Sequence, residues 1–208
     1  MSIDRQRYMD TDEVHRLRKV TEAFAIADKA RGRLRGVLAW GLVDTVLSTG
    51  LRVSELARLR VGDIDFKRGA LRVVRSKKRR PKAETLAVGA ELLAHLREFL
   101  IWKESVGQGT GKDAPLFWGK RGGLGVLGLQ RLWKRAIHEA GLPSELSIHA
   151  GRHTLAVHLL RRTRNLRQVQ KQLGHATPTI TANLYADVSF ADMQGGLNGL
   201  YEPPPETP

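Results

Sequence analysis

The stretch IHAGRHTLAV, residues 148–157, places His149, Arg152 and His153 within five consecutive positions ahead of an apolar run. Two chemistries compete for it. His149 and His153 stand four apart, the spacing at which one helical face can offer two imidazoles to a metal. A helical zinc site of the protease type needs a Glu directly after its first His, and Ala150 stands there instead. Arg152, a fixed cation, lies between the two candidate ligands, where it opposes a divalent metal and favours an anion. A phosphate suits the same residues better. His149 and Arg152 share a helical face, and the guanidinium offers a planar fork of donors to phosphate oxygens.

An isolated H-x-x-R is more often a satisfied surface pair than a site, so the rest of the chain must decide. In STGLRVSELARLRVGDIDF, Arg52 opens a short helix between a buried helix and a sheet. An Arg in so apolar a neighbourhood needs an anionic partner, which Glu55 can supply. In QLGHATPTITANLYADV, His175 follows a Gly and Tyr185 stands ten residues on. Alone, such a Tyr reads as half-buried core.

The elements that must position these groups are mainly helical. Asp10 and Glu13 form a capping box, with Thr11 as a rival cap, and Val14, Leu17, Val20 or Thr21 and Phe24 then follow helical spacing. RGRLRGVLAWGLVDTVLSTG is a second, more buried helix with Gly50 near its end, and RVSELARLR a short third. The period then changes. DIDF, ALRVV and ETLAV read as three antiparallel strands, with KRG a turn and KKRRPK in the connection before the last strand. AELLAHLREFLIWK is helical. Residues 106–128 are Gly-rich loop with APLFW as a buried anchor. Helices follow at LQRLWKRAIHEAGL, AGRHTLAVHLLRR, LRQVQKQLG and TPTITANLYADV, with a weaker one at SFADMQGGLNGL and a frayed tail, EPPPETP. The fold class is therefore mainly α with one small three-stranded antiparallel sheet, in a single domain.

Composition narrows the partners. Among 208 residues, Lys and Arg number 35 against 21 Asp and Glu, a formal net charge of +14. A surplus of that size points to a polyanion, with nucleic acid the first candidate. The absence of cysteine excludes disulfides, thiolate zinc sites and cysteine nucleophiles. The longest apolar run, GVLAWGLVDTVLSTG, is interrupted by Asp44 and is too short to span a bilayer. A soluble, cytoplasmic protein is expected.

Taken in order, TGLRVSEL, a Lys on the sheet, H-x-x-R-H-T, L-G-H and the following Tyr resemble the tyrosine recombinases, the phage-integrase-like and Xer-like site-specific recombinases. The resemblance runs from about residue 10 to residue 195. It implies that Arg52 is the first catalytic Arg, that His149 and Arg152 are the H-x-x-R pair, that His175 is the second His, and that Tyr185 is the nucleophile. It places the catalytic Lys on the β-hairpin. Lys77 fits best, because a small polar residue often precedes this Lys in the family, and Lys78 is its rival. Gly151 replaces the Leu more common inside the motif, which suggests looser packing there. The implied reaction is strand cleavage through a 3′-phosphotyrosine, with no metal or other cofactor.

On this reading Arg75, Lys78, Arg79, Arg80, Lys120 and Arg121 track the backbone of double-stranded DNA. The implied assembly is a homotetramer on paired sites, a monomer or weak dimer off DNA, in a bacterial, archaeal or phage setting and associated with the nucleoid. Residues 1–200 form the catalytic domain, 1–9 a short arm and 201–208 a disordered tail. An N-terminal DNA-clamping domain has no room, so the chain is expected to be either a piece of a longer protein or a member with the catalytic domain alone. The alternatives are a type IB topoisomerase, which shares the chemistry, and a catalytically silent DNA-binding regulator.

Overall fold

The computed structural model describes residues 8–77, 80–119 and 122–174, and for residues 76, 77 and 80–82 the backbone only. Helix α1 (Thr11–Ala30) begins at the expected capping box: Asp10 accepts from the Glu13 N–H, and Glu13 accepts from the Asp10 N–H. Helix α2 (Arg35–Thr49) is buried along most of its length and packs against α1 and against α4 (Ala90–Ser105), α5 (Val126–Glu139) and α6 (Ile148–Thr163). An all-round apolar helix must lie at the centre of its domain, and α2 does. Asp44, the polar residue inside it, is held by Arg18 at 2.9 Å and by the His95 ring.

Helix α3 (Val53–Leu56) is one turn, shorter than the sequence pattern suggests, and a 3₁₀ turn at Val61–Asp63 follows it. The sheet is β1 (Ile64–Asp65), β2 (Ala70–Lys77) and β3 (Arg80–Ala87), antiparallel and in that order. Here the structure corrects the sequence reading. Within KKRRPK, Lys77 belongs to β2 and Arg80, Pro81 and Lys82 to β3, because the two strands stay in register out to Lys77 opposite Arg80. Pro81 is tolerated in that ladder because β3 is an edge strand.

The Gly-rich stretch also holds a small ladder, β4 (Trp118–Gly119) with β5 (Gly122–Gly123), which the sequence did not suggest. APLFW is the anchor expected, with Leu116, Phe117 and Trp118 in the core beside Phe99. Helix α7 (Leu166–Leu173) closes the described chain, ending at Gly174 in the left-handed conformation, φ 62°. The helices expected at TPTITANLYADV and SFADMQGGLNGL, and the tail, lie outside the described residues.

Candidate active site

Three chain ends meet over one side of α2. The first is the exit of α2 itself. Gly50 takes the left-handed conformation, φ 65°, and a Cβ there would lie 2.6 Å from Leu173 Cδ2 and 2.9 Å from Leu155 Cδ2. Only glycine meets both demands, the positive φ and the close approach. The chain then enters α3 with Arg52 as its N-cap.

Glu55, one turn on, is 3% exposed. Its carboxylate accepts the Arg52 backbone N–H at 2.9 Å and Arg52 Nη1 at 3.1 Å. Glu55 thus holds Arg52 by both backbone and side chain. The Arg52 side chain keeps 42% of its surface exposed and presents its remaining donors outward.

The second end is the start of α6. Ser147 caps it by accepting from the Ala150 N–H. His149 is exposed in the first turn, with the His153 ring edge-on to it at 4.7 Å between centroids. Its pKa is lowered from the ordinary value, first by partial desolvation and then by the positive charges of Arg152 and Arg52. Arg152, one turn further, is 2% exposed. It donates to the Gly50 carbonyl at 2.5 Å and to the Leu173 carbonyl at 2.7 Å. Burial lowers its pKa to about 10, with repulsion from Arg52 adding to the effect, Glu55 opposing it and Arg75 adding again. It therefore remains a cation at neutral pH.

Gly151 is not a point of loose packing. A Cβ there would lie 2.6 Å from Val46 Cγ1 and 2.7 Å from Trp133 Cη2. The indole of α5 fills the space that a larger residue would occupy, and its N–H is satisfied by the Leu146 carbonyl.

The third end is the C-terminus of α7. The last carbonyls of a helix have no partner within it. Here Arg152 and Arg75 supply the donors. Arg75 was expected on a DNA-tracking surface, but it is 2% exposed and turned inward. The reason is strand parity: Leu71, Val73 and Arg75 face the core, and Arg72 and Val74 face solvent. Alternation along β2 was the signal that sequence reasoning missed.

Of the other expected site residues, Lys77 ends β2, two residues after Arg75, and Arg80 opens β3. Lys78, Arg79, Lys120, Arg121, His175 and Tyr185 lie outside the described residues, although the described chain stops one residue short of His175. Arg52, His149 and Arg152 are thus brought together. Among the described residues no cluster of three His, Cys, Asp or Glu side chains is suited to a metal ion, and no helix is long and apolar enough to cross a membrane.

Arg52 and Arg152 are both close enough to His149 for their charges to lower its pKa. Residues 7–192 match the model of the phage integrase family, and the chain belongs to that family. It is 35% identical over 150 residues to the tyrosine recombinase XerC of Pelobacter propionicus, a match that covers 72% of this chain and 47% of that protein. Among solved structures, the XerA recombinase superposes with a TM-score of 0.72 at 24% identity, over 94% of this chain and 64% of that one. XerH, bound to a palindromic difH substrate in a post-cleavage complex, superposes at 0.70 with 23% identity, over 94% and 53%. The chain spans about half the length of the curated relatives it matches.

Proposed function

We propose that this chain is the catalytic part of a site-specific DNA recombinase that cleaves and rejoins strands through a 3′-phosphotyrosine at Tyr185. The observation that carries the reading is the clustering of Arg52, His149 and buried Arg152 where α2, α6 and α7 meet, within a chain of this family. Tyr185 gives up its phenolic proton to solvent as its oxygen attacks the phosphorus, the bond to the 5′ oxygen breaks, and the 5′ oxygen takes a proton from Lys77. The phosphotyrosyl bond conserves the energy of the diester, so rejoining is the reverse reaction and uses no nucleotide.

Negative charge grows on the phosphorane oxygens in the transition state, and the site is built to meet it. Arg52 offers accessible donors. Arg152 supplies a cation already desolvated by the fold, where charge interacts more strongly than in water. His149, held towards its neutral form by partial desolvation and then by its two cationic neighbours, adds a hydrogen-bond donor without more positive charge. His175 orients the phosphate or Tyr185.

Lys78, Arg79, Arg80, Lys120 and Arg121 follow the backbone of double-stranded DNA, and Arg75 leaves that group. The working assembly is a homotetramer on paired sites, with a monomer or weak dimer off DNA, in the cytoplasm and associated with the nucleoid. Residues 1–200 form the catalytic domain, with 1–9 as a short arm within it, and 201–208 form a tail. The test is covalent trapping on a nicked duplex carrying the DNA that flanks the chain's own gene, with chelator present, beside Tyr185→Phe. A denaturing gel should show an adduct with the wild type and none with the variant. An adduct that survives Tyr185→Phe would overturn the assignment of the nucleophile.

A further inference from the structure

We propose that Arg75 is a positioning residue for the cleavage reaction: a buried guanidinium that sets Arg52 through Glu55 and sets Arg152 through the end of α7. The proposal rests on the recombinase reading above and concerns a residue to which that reading gives no part. Arg75 leaves almost no donor idle. Nε donates to Glu84 at 2.8 Å, Nη1 to the Leu173 carbonyl at 2.8 Å and to Glu55 at 3.5 Å, and Nη2 to the Gln172 carbonyl at 3.0 Å. With Nε, Nη1 and Nη2 all donating to protein acceptors, Arg75 acts as a support for the site rather than as a phosphate ligand. What it can do is hold four things at once.

Two of these lead straight to the site. Glu55 is the carboxylate that grips Arg52 by both backbone and side chain. The Leu173 carbonyl is shared between Arg75 and Arg152, so both guanidiniums take their position from one oxygen. That oxygen lies at a helix C-terminus, where the backbone carries partial negative charge and favours cations. Of the remaining contacts, Glu84 ties Arg75 to β3, and the Gln172 carbonyl ties the strand that ends in Lys77 to α7.

Gly174 completes the fit. A Cβ there would lie 2.3 Å from Arg75 Nε and 2.4 Å from Cζ, so the guanidinium lies directly against the backbone. A lysine could not replace this, because an ammonium is a point charge and cannot span acceptors on α3, β3 and α7.

The test uses the full chain with Arg75→Ala and Arg75→Lys, and Arg72→Ala as the control from the outer face of the same strand. Two quantities are read at a temperature where circular dichroism shows all variants folded. One is the single-turnover rate of adduct formation on the nicked duplex. The other is the titration of His149 followed by NMR, which needs no DNA.

Misplacing a catalytic group by about an ångström costs on the order of 10²-fold in rate. Both Arg75 variants should therefore lose roughly that factor in cleavage rate, with DNA affinity within about threefold of wild type, while Arg72→Ala keeps the wild-type rate. His149 should titrate at higher pH in Arg75→Ala than in wild type, because the two arginines that depress its pKa are no longer held. Wild-type rates and an unmoved His149 titration in folded Arg75 variants would reduce Arg75 to a structural residue and overturn the proposal. If the wild type forms no adduct at all, the recombinase reading fails, and the His149 titration alone still decides whether Arg75 positions the two arginines.

Discussion

Trp133 and Gly151 fit as ring and gap: the indole of α5 lies where a side chain on the first turn of α6 would have to be. The interval between His149 and Arg152 is therefore held by packing from outside the motif. Enlarging Gly151 should strain both. Alanine in a helix gains about 1 kcal/mol over glycine, but overpacking a tight core costs typically 1–3 kcal/mol. Gly151→Ala should be mildly destabilising and Gly151→Leu clearly so in urea unfolding. Adding Trp133→Leu to Gly151→Leu should recover part of the loss, and a strictly additive double variant would show that the two residues do not couple.

Gly141 and Gly174 share a φ of 62°, yet nothing lies within 4 Å of a Cβ at Gly141, and Arg75 lies against Gly174. Alanine at either position adopts a left-handed conformation at about 1–2 kcal/mol. Only at Gly174 must it also displace a buried guanidinium. Gly174→Ala should be the more destabilising by at least about 1 kcal/mol and should depress cleavage, whereas Gly141→Ala should unfold earlier but cleave normally. Thermal melts and trapping assays on the pair check this, and equal effects would mean that the Arg75 contact yields freely.

Glu55 is the buried carboxylate between Arg52 and Arg75, and its charge favours the protonated form of Arg152. Glu55→Gln keeps the shape and removes the charge. Breaking a buried pair in this way costs roughly 3–5 kcal/mol, because the partners are left uncompensated. The variant should unfold at distinctly lower denaturant concentration. A Glu55→Gln chain as stable as wild type would show that the cations relax into solvent.

His149 should titrate below 6.5 in the folded chain, since burial, Arg152 and Arg52 all disfavour its charged form. The linkage follows from that direction. With the folded pKa below the unfolded one, the unfolded chain binds the proton more readily. The contribution of His149 to stability is then complete above the unfolded pKa and is lost as pH falls through the folded value. NMR titration gives the pKa directly. Arg52→Gln should move it upward, and a value unchanged in that variant would remove Arg52 as a cause.

Removing either cation should be costly to catalysis. Loss of one preorganised donor typically lowers the rate by about 10²–10³. Arg52→Ala should do so with little loss of stability, since the Arg52 side chain is partly exposed. Arg152→Ala should lose both activity and stability, because the Gly50 carbonyl loses its Arg152 donor and the Leu173 carbonyl keeps only that of Arg75. Single-turnover cleavage set beside chemical denaturation separates the two cases.

Much of this protein was legible before any coordinates. The capping box at Asp10, the buried α2, the three strands, the APLFW anchor, and the ordered motifs that carry Arg52, His149 and Arg152 are local patterns, read from period and from turn chemistry over a few residues. What sequence reasoning missed depended on contacts between distant segments. Arg75 reads as one more cation in a basic run, although its parity with Leu71 and Val73 marks it as inward. Only the tertiary structure supplies Glu84 from the next strand and the carbonyls of α7, 97 and 98 residues away along the chain, which make a buried guanidinium tolerable there. Gly151 likewise reads as a gap until Trp133 is seen to fill it. Residue type and spacing determined which groups could meet a phosphate. Which of them face it and which stand behind was decided by long-range packing, because burying a charge is favourable only where the fold brings its partners to it.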